Sequence, residues 1–107
     1  MLFLFCGDHG MKESGGHGGA TLEETLVPLV ALGRPCAERS EEILQIDIAP
    51  TLSVLMGLPI PLSNLGNVVG ELLDDSEFSQ KLFAMFYNAQ QLFSKWQKIQ
   101  KYNNRGR

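Results

Sequence analysis

Met1-Leu2-Phe3-Leu4-Phe5-Cys6-Gly7-Asp8-His9-Gly10 opens the 107-residue chain, with six apolar side chains before polarity changes abruptly. A run this short and this rich in Leu and Phe, halted by Gly-Asp, predicts a buried strand opening into a tight polar turn rather than a helix. A central strand needs neighbours on both edges, and strand candidates are few. The best second one is Leu26-Val27-Pro28-Leu29-Val30-Ala31-Leu32, where Pro28 points to a strand start or an irregular edge. The expected fold is therefore α/β, with a short central strand, few further strands and helices toward the C-terminus.

Working outward, Gly33-Arg34-Pro35 stops the second run, and residues 36–42 read as an exposed acidic connection. Ile43-Leu44-Gln45-Ile46 is expected to be extended. Asp47 is placed to cap a helix over Ile48–Met56 that tolerates Pro50 in its first turn and turns Leu52, Leu55 and Met56 inward. Gly57-Leu58-Pro59 should end it. Residues 60–66, with Pro61, Ser63 and Asn64, read as a structured loop, and residues 68–73 as a short helix. Asp74 and Glu77 have capping-box spacing ahead of a long helix, Asp75–Tyr102. Its stripe of Phe78, Leu82, Met85 or Phe86, Ala89, Leu92 or Phe93, Trp96 and Ile99 recurs at three- and four-residue steps and is expected to face the core. Residues 103–107 should fray. The natural division is 1–74, followed by a terminal amphipathic helix and basic tail, 75–107.

Composition bounds the rest. With 44% hydrophobic and 20% charged residues the chain has the make-up of one small globular unit. No stretch approaches the roughly 20 apolar residues of a membrane span, and the apolar opening lacks the basic lead of a signal peptide. Two cysteines, Cys6 and Cys36, are too few for a disulfide framework and read as buried thiols. All twelve acids precede position 80, against Lys12, Arg34 and Arg39; Lys81, Lys95, Lys98, Lys101, Arg105 and Arg107 follow with no acid among them. So sparse a basic tail suits a solubilised helix, or one beside an anionic membrane, better than nucleic acid, which is excluded as a partner.

The chemistry-bearing residues cluster after the first strand. Asp8 and His9 leave its carboxyl end together, and His17 follows across the glycine-rich residues 10–16, close enough to fold back. One carboxylate and two imidazoles suit a zinc-like ion; a polar turn with two solvent-exposed histidines is the competing reading. Glu13, Glu23 and Glu24 are further carboxylates, each expected to be solvated, and Lys12 is a candidate phosphate contact. No GxxxxGK[ST] loop, CxxC pattern or G-x-S-x-G elbow is present.

Taken together, Gly7-Asp8-His9-Gly10-Met11, Gly16-His17-Gly18-Gly19, Val27-Pro28-Leu29-Val30, Gln45-Ile46-Asp47-Ile48-Ala49-Pro50-Thr51-Leu52 and Gly57-Leu58-Pro59-Ile60-Pro61 resemble the alkaline-phosphatase-like hydrolases and transferases. Within them the pattern is similar to the ethanolamine phosphate transferases of glycosylphosphatidylinositol (GPI) anchor assembly, over about residues 2–96 and including Asn88-Ala89-Gln90-Gln91-Leu92. The resemblance implies a partial alkaline-phosphatase-like sandwich, the C-terminal part of a larger catalytic domain. It also implies a two-zinc phosphoryl-transfer site in which Asp8 and His9 hold one metal and His17 the other. Phosphoethanolamine would pass from phosphatidylethanolamine, by way of a threonine nucleophile, to a mannose of the anchor precursor. The family places that threonine and further ligands upstream, so none of Thr21, Thr25 and Thr51 takes its role, and this chain alone should be inactive and bind zinc only partially or not at all. The parent enzyme would lie in the endoplasmic reticulum membrane, its catalytic domain lumenal, with a small membrane protein as a candidate partner. A metal-dependent phosphodiesterase or phosphatase, and a noncatalytic truncated interaction module, are the alternatives.

Overall fold

The computed structural model of the chain describes residues 1–33 and 42–105. Cys36, the acidic connection around it and the last two residues lie outside them. The chain forms two compact units, Met1–Cys36 and Ala37–Arg107.

The first unit contains strand β1 (Phe3–Cys6), helix α1 (Leu22–Thr25) and strand β2 (Leu29–Leu32). The strands pair antiparallel, Phe3 opposite Leu32 and Cys6 opposite Leu29, and Gly7 N–H continues the pairing to the Pro28 carbonyl at 3.3 Å. Pro28 stands just before β2, where its missing N–H costs no ladder bond. β1 is a strand, as its composition predicts, but it is not buried. Phe3, Phe5, Val30 and Leu32 share one face of the sheet through the pleat and all are exposed. Cys6 is an exposed free thiol, not a buried one. The reason is topological: among the described residues the sheet has only two strands, and each β1 residue lacks the second neighbour that a central strand would give it.

The second unit contains a 3-10 turn at Gln45–Asp47, helix α2 (Ile48–Leu55), a 3-10 turn at Gly70–Leu73 and helix α3 (Phe78–Arg105). α2 ends as its sequence requires. Leu58 N–H reaches the Ser53 carbonyl at 2.8 Å and Gly57 N–H reaches the Val54 carbonyl at 3.1 Å, the paired bonds of a Schellman stop, with Gly57 at φ +67°. Its start differs from expectation. Asp47 sits in helical geometry and makes no side-chain cap bond to α2; its two carboxylate oxygens instead accept Leu44 N–H at 2.9 Å and Asn67 N–H at 2.7 Å. Residues 45–47 are consequently a 3-10 turn rather than an extended segment, and Met56, expected inside, is exposed.

The core of this unit is small: Ile60, Val68, Leu73 and Ala84, with Val54, Leu55 and Tyr87 packed against it. α3 begins at Phe78, its first bonds running from Gln80 and Lys81 N–H to the Glu77 carbonyl. Asp74 makes no capping box there; its carboxylate pairs with Lys81 Nζ. The helix continues through Arg105, absorbing residues 103–105 that were expected to fray. It also turns a different face inward. Ala84 and Asn88 are its buried residues, flanked by the half-buried Lys81, Tyr87, Gln91, Leu92 and Lys95. The stripe of Phe78, Leu82, Phe86, Phe93, Trp96 and Ile99 is exposed.

That choice follows from what α3 packs on. Residues 63–68 carry backbone groups that need partners when covered, and the helix supplies them at one-turn intervals. Asn88 Oδ1 accepts Val68 N–H at 2.9 Å, while its Nδ2 donates to the Gly66 carbonyl at 3.1 Å. Gln91 Nε2 donates to the Asn64 carbonyl at 3.0 Å and Lys95 Nζ to the Ser63 carbonyl at 2.6 Å. From α2, the buried Thr51 hydroxyl donates to the Asp47 carbonyl at 2.6 Å and accepts Val69 N–H at 2.9 Å. A polar row thus outcompetes a more apolar one. The architecture is mixed α/β with a long C-terminal helix, as expected; a layered sandwich is not formed by the described residues. No helix among them is long and apolar enough to cross a membrane.

Candidate functional site

The site residues lie on the loop between β1 and α1. Asp8 follows the strand end by two residues, and its Oδ1 accepts the N–H of His9 at 3.0 Å. His9 Nδ1 bonds to the Gly10 carbonyl at 2.9 Å. A carbonyl only accepts, so Nδ1 carries the proton and Nε2 of the neutral ring keeps its lone pair. That nitrogen stands 3.8 Å from Asp8 Oδ2. Two ligands about 2.0–2.1 Å from one zinc can lie at most about 4 Å apart; the Asp8 and His9 donors meet that limit.

His17 comes back to the same place. A tight turn, with Gly15 N–H to the Lys12 carbonyl at 2.8 Å and Lys12 N–H to the Gly16 carbonyl at 2.9 Å, reverses the backbone before it. The rings of His9 and His17 then stack, centroids 5.1 Å apart and planes 12° from parallel. Sequence reasoning left open whether Asp8, His9 and His17 converge; the fold sets His9 beside Asp8 and stacks it on His17, with all three residues exposed. Among the described residues, no group of three or more His, Cys, Asp and Glu side chains is arranged to hold an ion.

Glu24 is the residue that sequence reasoning missed. Expected to be solvated, it is 4% exposed. Its Oε1 accepts Gly19 N–H at 3.0 Å; its Oε2 accepts the Thr21 hydroxyl at 2.7 Å, Thr21 N–H at 3.4 Å and the Lys12 ammonium at 3.2 Å. The Thr21 hydroxyl foremost, then Gly19 N–H, Lys12 and Thr21 N–H, hold this carboxyl below the usual carboxylate range against the opposing effect of burial. A signal was present: Thr21-Leu22-Glu23-Glu24 has the T-x-x-E spacing of a capping box, and α1 starts at Leu22. Lys12, the candidate phosphate contact, has its charge engaged by Glu24. Glu13 and Glu23 are exposed.

Gly10 is required by close approach. Its N–H donates to the Glu24 carbonyl at 2.8 Å, and a Cβ there would collide with the Glu23 carbonyl. The Asp-His-Gly sequence is therefore tied to α1 through its glycine.

The chain is 42% identical over 88 residues to GPI ethanolamine phosphate transferase 2 of Aspergillus oryzae, an alignment taking in 67% of the chain and 10% of that protein. The chain belongs to the GPI ethanolamine phosphate transferase family. Two human members match over 85% of the chain and 10% of their own length: the catalytic subunit of GPI ethanolamine phosphate transferase 3 at 39% identity and that of GPI ethanolamine phosphate transferase 2 at 32%. The chain thus spans about a tenth of the length of the curated transferases it matches. No family model and no solved structure matches it.

Proposed function

We propose that this GPI ethanolamine phosphate transferase chain is a segment of the catalytic domain of an enzyme that moves phosphoethanolamine from phosphatidylethanolamine to a mannose of a GPI precursor, at the lumenal face of the endoplasmic reticulum membrane. The observation that carries the reading is the agreement between the family matches and one local geometry, the lone-pair nitrogen of His9 set beside the Asp8 carboxylate. Asp8 and His9 would hold one zinc, and His17 would contribute to its neighbour. Bound there, the ions would offset charge on the phosphate oxygens and lower the proton affinity of a nucleophile. The segment's own part is to set His9 Nε2 beside the Asp8 carboxylate, the tautomer being fixed by the Gly10 carbonyl. With the nucleophile expected elsewhere in the enzyme, this chain alone is inactive.

Zinc titration followed by calorimetry tests the ligand assignment: the chain should retain partial zinc binding, and Asp8→Asn and His9→Ala should each weaken it by about tenfold or more. Failure of the folded chain to bind zinc would count against it. Transfer is separated from hydrolysis by placing the same two substitutions at the matching positions of a full-length relative supplied with labelled phosphatidylethanolamine. Label should pass to the glycolipid in the unaltered enzyme and not in the variants; label released as free phosphoethanolamine would favour a hydrolase.

A further inference from the structure

We infer that Glu24 is a positioning residue that brings His9 and His17 together; the inference deepens the proposed metal site and rests on it only in taking both imidazoles as ligands. Three points of the loop meet at this one residue. Its backbone carbonyl accepts the N–H of Gly10, the neighbour of His9, at 2.8 Å. Its Oε1 accepts the N–H of Gly19, two residues beyond His17, at 3.0 Å, and its Oε2 lies 3.2 Å from Lys12 Nζ, at the head of the turn that leads back to His17. The two histidines are eight residues apart in sequence and stacked at 5.1 Å because both flanks of the loop between them are closed onto the same residue.

The carboxylate is also heavily engaged. Oε2 faces three donors, Thr21 Oγ1–H, Thr21 N–H and Lys12 Nζ, and Oε1 accepts Gly19 N–H. At 4% exposure and turned toward these four donors, Glu24 orients the site without entering it as a ligand. An alanine here abandons all four donors. A glutamine has one acceptor oxygen and must turn an NH₂ toward either Gly19 N–H or the Lys12 ammonium, so it keeps only part of the closure.

The test uses the full chain, first metal-free and then titrated with zinc alone. Nuclear Overhauser contacts between the His9 and His17 rings report the stack, and competition with a chromophoric chelator reports zinc affinity. Glu24→Ala should abolish the ring contacts and weaken zinc binding by about 10–100-fold, the range typical of groups that orient ligands; Glu24→Gln should give weakened contacts and a smaller loss. Glu23→Gln, an equal change of charge on the exposed neighbour, should resemble the unaltered protein. Should Glu24→Ala lose the β1 amide signals, Glu24→Gln decides: intermediate values support the assignment and unaltered ones overturn it. Equal effects from Glu23→Gln and Glu24→Gln would reveal a charge effect and overturn it. An unaltered protein that binds no zinc, with ring contacts that vanish in Glu24→Ala, would sink the metal reading and leave the positioning role standing.

Discussion

The two units solve the same problem with opposite materials. Residues 42–105 are organised around an apolar centre of Ile60, Val68, Leu73 and Ala84, to which Thr51 and Asn88 add hydrogen bonds in a water-excluded setting. Residues 1–33 bury little apolar surface, leave Phe3, Phe5, Val30 and Leu32 exposed, and beside the β1–β2 pairing have their loop closed through one carboxylate. Removing a partner from a buried backbone group costs its desolvation. A loop fixed by charge-assisted bonds responds instead to protonation. The difference teaches that precise side-chain placement in this protein does not coincide with where the core is.

Asn88→Ala should have the largest effect on the second unit. It orphans Val68 N–H and the Gly66 carbonyl in one step, at about 1–3 kcal/mol for each buried group, and should lower the melting temperature of that unit while leaving the His9–His17 ring contacts intact. An unchanged melting temperature would show that the Asn88 row is incidental to the packing.

Gly57→Ala should cost less, about 1–2 kcal/mol, the penalty for a left-handed residue with a Cβ. Nothing within 4 Å would meet the added methyl, so the loss should come from backbone conformation alone. Denaturant unfolding measures it; a neutral result would mean the Schellman stop relaxes freely.

Acid sharpens the contrast with the smallest global effect. Because the Glu24 carboxyl titrates below its unfolded value, its contribution is complete above the ordinary carboxylate range near about pH 4.3 and is lost as pH falls through the lower folded value. Amide exchange at Gly19 and Thr21 should therefore accelerate on acidification ahead of exchange at Val68 and Val69. Simultaneous acceleration at all four would erase the distinction between the units.

Much of the local structure was legible because its causes are local. Phe3–Cys6 forms a strand, Pro50 is accommodated in the first turn of α2, and Gly57 ends that helix, each through backbone preferences that neighbours in sequence enforce. Asp8, His9 and His17 were legible as residue types gathered after the first strand, but an exposed polar turn fits their spacing as well as a metal site does. Asp47 was misread for a physical reason: an Asp before a helix is an N-cap only if its backbone leaves helical geometry, and here Leu44 and Asn67 compete successfully for its oxygens. Glu24 was misread because solvation is the default for a glutamate, although Thr21 three residues earlier marked the exception.

By itself, the sequence determined where elements begin and stop and which chemical groups gather after the first strand, since these depend on dihedral preferences and on composition. Only the tertiary structure decided which side of α3 turns inward and which carboxylate closes the histidine loop. Helical periodicity permits more than one buried face, and the winning one carries Asn88 and Gln91 because the backbone it covers must be hydrogen-bonded.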